Sequence, residues 1–181
     1  MPQGSWRISP SLPSVNFLPI REMTDQLTPD MLAYMTNSVN WNSTLAAILQ
    51  DFSCQTGTIH RTADSDKILT LVCQIGVPES IMHKITSIPF GKGIAGVAAE
   101  RQEAVELCNL QQDLGGVARV DARQTGVSGS IAVPIFSKDT GEVVGTLGIG
   151  KFIPYDFSSD EKHRLREIAD QIAGIFVNKD S

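Results

Sequence analysis

Cysteines, histidines and one run of polar side chains are the groups in this 181-residue chain with chemistry to offer. Cys54, Cys73 and Cys108 are widely spaced and form no Cys-x-x-Cys pair, so neither dithiol exchange nor a zinc site follows from them. His60, His83 and His163 share no ligand-like spacing; no metal is expected, and the spacing names no cofactor. No Ser-His-Asp or paired-carboxylate arrangement emerges, so the sequence shows no catalytic machinery. The polar run Asn109, Asp113, Arg119, Asp121, Arg123 and Thr125 suits binding: amide and hydroxyl hydrogen bonds, with a guanidinium for an anionic group. Gly91-Lys92-Gly93 ahead of a helix has two readings. Free amides at a helix start attract anions, whereas glycines there also allow a tight turn with positive φ and close packing. The P-loop spacing and the dinucleotide-binding context are both missing.

The elements that must position these groups are legible in outline. Pro2, Pro10, Pro13 and Pro19 make residues 1–28 a tail or extended arm. Thr28-Pro29 reads as a helix start, and Leu32, Met35, Val39, Leu45, Ala46 and Leu49 carry that helix to Asp51. Two alternating runs, Cys54 to Thr62 and Lys67 to Ile75, predict a hairpin. Short helical and extended pieces follow, then a helix from Gly93 to Arg101 and an edge strand from Ala104 to Leu107. Asn109 to Thr125 reads as loop, or as loop with a helical turn or two over Val117 to Arg123. Val127 to Phe136 and Glu142 to Phe152 form a second hairpin about Asp139-Thr140-Gly141. Ser158-x-x-Glu161 is a capping box opening the last helix. Hairpin-joined strands make the sheet largely antiparallel, and helices set on its faces make an α+β fold.

Size alternates along the second hairpin. Val127, Ile131, Val133 and Ile135 share one face with Val143, Leu147 and Ile149; Ser128, Ser130, Ala132 and Pro134 share the other with Thr146, Gly148 and Gly150. A face of small residues leaves room either for a bound molecule or for a closely packed helix. On the last helix, Leu165, Ile168, Ile172 and Phe176 line up. Together with Leu32, Met35 and Val39 they offer more apolar surface than one sheet face covers, which predicts a homodimer.

Fifteen Lys and Arg stand against 20 Asp and Glu, a formal charge of -5. No basic run interleaves with aromatics, so a nucleic-acid footprint is not expected. No apolar segment is long enough to span a membrane, and no signal peptide opens the chain. With free thiols, this predicts a cytoplasmic protein.

The stretch Pro89-Phe90-Gly91-Lys92-Gly93-Ile94-Ala95-Gly96-Val97-Ala98, followed by Ser128-Gly129-Ser130-Ile131-Ala132-Val133-Pro134-Ile135 and Gly145-Thr146-Leu147-Gly148-Ile149, resembles the GAF domain family. These are small-molecule sensor and dimerisation modules of signalling proteins. The resemblance runs from about Pro29 to Val177. It implies a single, largely antiparallel sheet of five to six strands with helices on both faces (GAF/PAS-like). The chain then divides into a Pro-rich tail (1–28), a GAF-like domain (29–177) and a C-terminal end (178–181), with Met1 read as a true start. The implied function is a regulatory module that binds a ligand and signals through its terminal helices, to an effector in trans or on a segment beyond this chain. A ligand-free dimerisation or scaffold module is the alternative.

In GAF sensors the region equivalent to Asn109–Thr125 covers the pocket as a lid. The expected pocket therefore lies between that segment and the small face. Ser130 and Thr146 offer hydroxyls from the floor; Asn109, Asp113 and Thr125 offer polar contacts from the lid, with Arg119 or Arg123 for an anion. Phe90, Ile94 and Leu114 supply apolar walls. A cyclic nucleotide suits this mix, as do other small metabolites. Phe157-Ser158-Ser159-Asp160-Glu161 is similar to the end of the cyclic-nucleotide GAF signature, although Gly150-Lys151 stands where that signature has Asn-Lys. An enzyme branch, the free methionine-(R)-sulfoxide reductases, uses thiolate attack with a resolving cysteine. Ala95 stands where its cysteine would follow the Gly-Lys-Gly turn, and Arg119 to Thr125 contains none. The chain is therefore expected not to be an enzyme.

Overall fold

A computed structural model describes residues 39–62, 67–109 and 126–177. Its elements run α1 (Trp41–Asp51), β1 (Thr56–Thr62), β2 (Ile68–Ile75), a 3-10 turn (Glu79–Ile81) leading into the single-turn α2 (Met82–Ile85), β3 (Ser87–Pro89), α3 (Gly93–Arg101), β4 (Val105–Leu107), β5 (Gly129–Phe136), β6 (Val143–Lys151) and α4 (Ser159–Val177). The six strands form one sheet in the order β3-β2-β1-β6-β5-β4. Every pairing in it is antiparallel. The expected α+β architecture is what the chain adopts. Its central rung joins the two hairpins through β1 and β6, which lie far apart in sequence.

The first helix differs from its sequence reading. A helix continuous from Pro29 is expected, yet α1 begins at Trp41 because Asn40 caps it: the Asn40 side-chain oxygen accepts the Ser43 N–H at 3.1 Å. An asparagine accepting from the N3 amide satisfies a donor that a continuous helix would already use, so it marks a start. The capping box forms as expected. Ser158 Oγ accepts the Glu161 N–H, and the Glu161 carboxylate accepts the Ser158 N–H at 2.8 Å.

The bulky sheet face carries the main core. Leu45, Ile48 and Leu49 of α1 and Leu165, Ala169, Ile172, Ala173 and Phe176 of α4 pack with Ile59, Ile131, Val133, Ile135, Leu147 and Ile149. Leu165, Ile172 and Phe176 are thus buried within the chain, and Ile168 packs partly buried against the same core, so the sheet takes most of the α4 stripe on which the dimer expectation rests. Leu32 and Met35 lie outside the described residues. Two leucines of α1 press on bare backbone: a Cβ on Gly57 would meet Leu49 Cδ2 at 2.9 Å and Leu45 Cδ1 at 3.0 Å.

The small face carries α3 through Val97, Ala98 and Ala132. The turn before α3 is the tight one: Gly91 and Gly93 have φ of 76° and 63°, and a Cβ on Gly96 would sit 2.4 Å from the Pro89 carbonyl oxygen. Glycine is required there by conformation and approach alone.

Lys151 ends β6 on the α1/α4 side, although its side chain is charged and only 7% exposed. Its ammonium donates to the carbonyl oxygens of Phe52 at 2.6 Å and Ser53 at 3.4 Å, just past α1. It also lies 4.1 Å from the Tyr155 ring centroid, and the Tyr155 hydroxyl donates to Glu161. A cation at a helix C-terminus meets unsatisfied carbonyls and the negative end of the dipole. Lys151→Met keeps the stem and deletes the donor; it should lower unfolding free energy by roughly 1–3 kcal/mol in urea titration. An unchanged midpoint would show that the ammonium holds nothing together.

Candidate ligand cleft

Three cross-strand rungs build the small face. Thr56 pairs with Gly150 and Gly150 with Ser130; Thr58 pairs with Gly148 and Gly148 with Ala132; His60 pairs with Thr146 and Thr146 with Pro134. Successive same-face rungs are about 7 Å apart along the strands. Two glycines in the middle column leave the floor without side chains where the first two rungs lie. A cleft of about 150 Å³ opens over them. Thr56, Thr58, Ser130, Ala132, Gly148 and Gly150 line it from the sheet; Val77, Ile81, Ile85, Ile94, Ala95 and Val127 line it from around.

The small face therefore does both things its composition allows. It accepts α3 closely along Ala132 and leaves a cleft beside that helix. Ile94 and Ser130 line the cleft. Thr146 sits one rung further on, fully buried. Phe90 is elsewhere: it packs beside Leu69, Ala99 and Val143. Asn109 follows β4, half-buried and outside the cleft lining. Asp113, Leu114, Arg119, Arg123 and Thr125 lie outside the described residues. Val127 leaves its expected face because β5 starts only at Gly129, so alternation does not extend back to it. Its side chain lies over Gly150. Thr56, Thr58, Ile81 and Ile85 were missed. The threonines alternate with Gly57 and Ile59, a period-two signal that becomes informative only once β1 is known to pair with β6.

Among the described residues the cleft lining is neutral and mostly apolar, with no charged side chain. The Ser130 hydroxyl is buried with no hydrogen-bond partner. The hydroxyl of Thr56 reaches the Gly150 carbonyl oxygen at 3.4 Å. No cysteine lines the cleft, and Ala95 does. Cys54 and Cys73 belong to the opposite core. Burial raises both thiols to about 11; at Cys54 the nearby Lys151 charge opposes this rise and Glu161 adds to it. Such thiols stay protonated and unreactive near neutrality. Among the described residues no group of three or more His, Cys, Asp or Glu side chains converges as a metal site, and no helix is long and apolar enough to cross a membrane.

Lys151, Phe157 and Glu161, the residues of the partial cyclic-nucleotide signature, gather on the helical face. Lys151 holds the end of α1, Phe157 is buried in the main core, and Glu161 caps α4. None of them touches the cleft.

The family model for the GAF domain matches residues 42–177, so the chain belongs to the GAF domain family. This is a family of small-molecule-sensing and regulatory modules. Solved structures share its fold. One is the GAF domain of a phosphoenolpyruvate-protein phosphotransferase from Coxiella burnetii, 19% identical, covering 74% of this chain and 78% of that one at a TM-score of 0.62. Another is a free methionine-R-sulfoxide reductase from Neisseria meningitidis in complex with its substrate, 19% identical over 82% of this chain and 86% of that one, TM-score 0.63. A third is the reduced form of such a reductase from Staphylococcus aureus, 22% identical over 83% and 97%, TM-score 0.58. No curated protein matches the chain by sequence.

Two titrations follow from burial. At pH 8, iodoacetamide should modify exposed Cys108 in the native protein and spare Cys54 and Cys73, as read by peptide mass spectrometry; rapid labelling of either buried thiol would contradict this placement. Burial holds His60 below its ordinary value, partly opposed by its hydrogen bond to Ile85. The unfolded chain then binds the proton more readily than the folded one. His60 stabilises the fold above about pH 6.5 and loses that contribution as pH falls. The urea midpoint should drop from pH 7 to 5, with a smaller drop in His60→Gln.

Proposed function

We propose that this chain is a regulatory GAF module that binds a small, neutral, largely apolar molecule in the cleft and conveys its occupancy through the terminal helices. The observation that carries the reading is the floor of Gly148 and Gly150 beside the buried, unpaired Ser130 hydroxyl. Leaving a buried hydroxyl unpaired costs roughly 1–3 kcal/mol, which a ligand's polar atom recovers. An apolar cavity of this size suits a compact ring or short branched chain of benzene-like bulk. A cyclic nucleotide brings a phosphate charge that none of the described lining residues neutralises. The neutral reading is therefore favoured over the nucleotide one.

The reading is of a binding module and not of an enzyme. A reductase needs a thiolate at its substrate; the residue beside the turn here is Ala95, and the two buried thiols lie across the sheet. A ligand that prefers one arrangement of α1 and α4 biases the population toward it, and this is how occupancy is passed on. The scaffold reading, in which the cleft stays empty, has no comparable observation behind it.

The test is thermal shift against a library of neutral small metabolites. At least one should raise the melting temperature of the wild type. Ser130→Leu and Gly148→Ala should both fold and lose that rise. The second is the gentler filler: its Cβ would meet Thr58 Oγ1 at 3.1 Å and nothing else nearer than 3.9 Å. No rise with any compound, or a rise that both fillers leave intact, would remove the cleft from the function.

A further inference from the structure

The third rung of the small face holds two buried polar atoms without a hydrogen-bond partner among the described residues. His60 is 1% exposed and Thr146 is 0% exposed. His60 Nε2 lies 2.9 Å from the Ile85 carbonyl oxygen. A carbonyl only accepts, so Nε2 carries the proton and Nδ1 presents a lone pair. That Nδ1 has no partner, and neither does Thr146 Oγ1. The two residues are direct cross-strand partners, with Cβ atoms about 4.5–5.5 Å apart. Two unsatisfied groups on one rung are a matched defect: an acceptor on His60, and a hydroxyl beside it that can donate.

This rung adjoins the cleft. Gly148 and Thr58 of the neighbouring rung line the cleft floor, and glycine at 148 puts no side chain between that floor and Thr146. Ile85, whose carbonyl fixes the His60 ring, also lines the cleft. It belongs to α2, a single turn with no buried residue, so this edge of the cleft is lightly anchored.

Resting on the cleft reading above, we propose that the His60–Thr146 rung selects the ligand by its head group: a neutral hydroxyl, attached to the apolar body that fills the cleft. One hydroxyl satisfies both atoms. Its O–H donates to His60 Nδ1, and its oxygen accepts the Thr146 O–H. A carboxylate has no proton to give Nδ1, and an ammonium has no lone pair for Thr146. The rung therefore rejects both charged classes by chemistry as well as by desolvation.

Benzyl alcohol and toluene form the probe pair, used on the full chain with saturation-transfer NMR titrations and 15N spectra of the histidine rings. Benzyl alcohol should bind roughly ten- to fiftyfold more tightly than toluene, in line with two hydrogen bonds. It should move the His60 Nδ1 resonance, identified with His60→Gln, while toluene should not. Thr146→Val should reduce the preference about fivefold, leaving the hydrogen bond to His60, without weakening toluene, and Thr146→Ser should retain it. The ring signal needs no substitution, so it decides the matter even if Thr146→Val fails to fold. Equal affinities with a silent His60 ring overturn the proposal. If metabolites still give a thermal shift that Gly148→Ala abolishes, the cleft reading survives that failure; if no compound shifts the wild type, both fall.

Discussion

A difference in side-chain size between the two faces of β5 and β6 is the constraint on which the rest of the molecule depends. Ile131, Val133, Ile135, Leu147 and Ile149 commit one face to α1 and α4. Ser130, Ala132, Gly148 and Gly150 leave the other too shallow to fill itself. Strand side chains alternate strictly, so a one-residue slip of the β5–β6 pairing would exchange these faces, drive glycine into the core and put isoleucine in the cleft. The in-register pairing Ser130 with Gly150 and Ala132 with Gly148 is thus the condition for both a core and a cleft. α3 then takes the part of the shallow face that small residues can fill, through Val97 and Ala98, and the remainder stays open.

The helical face is tied at its rim by charge. Lys151 joins the end of β6 to the end of α1, and Tyr155 and Glu161 tie the same region to the start of α4. Nearby, Glu106 of β4 accepts the Phe157 N–H at 2.6 Å and pairs with Lys162. These contacts join elements that the sequence separates widely, which local turn chemistry cannot do. They also give Lys151, Phe157 and Glu161 structural work, so their likeness to a nucleotide-binding signature needs no nucleotide to explain it.

How much of this was legible in the sequence follows the range of each interaction. The hairpins, the capping box and the Gly-Lys-Gly turn are set by residues within a few positions of one another, and each stands where it is expected. The size asymmetry of β5 and β6 was equally local and located the shallow face. Missed features depend on partners far along the chain. Nothing near Thr56 and Thr58 says that β1 will lie beside β6, so half the cleft floor was invisible. Leu165, Ile172 and Phe176 form a stripe whether they meet a sheet or a second copy, and only the fold shows that the sheet takes them. Asn40 was overlooked because apolar spacing continues through it, and a cap overrides spacing. Phe90 is a packing residue that a strand-end position made look like a wall.

The bare backbone of Gly57 under Leu45 and Leu49 has one further consequence. Thr56 and Thr58, on either side of that glycine, face the cleft, so the partition between α1 and the cleft is a single peptide thick at this point. Where both faces carry side chains, two layers separate the halves and absorb small displacements. At Gly57 nothing cushions them: a shift of β1 by a few tenths of an ångström is a shift of the surface on which two leucines rest. The domain has in effect a diaphragm, placed where a membrane of minimal thickness turns the filling of a small space into pressure on a helix.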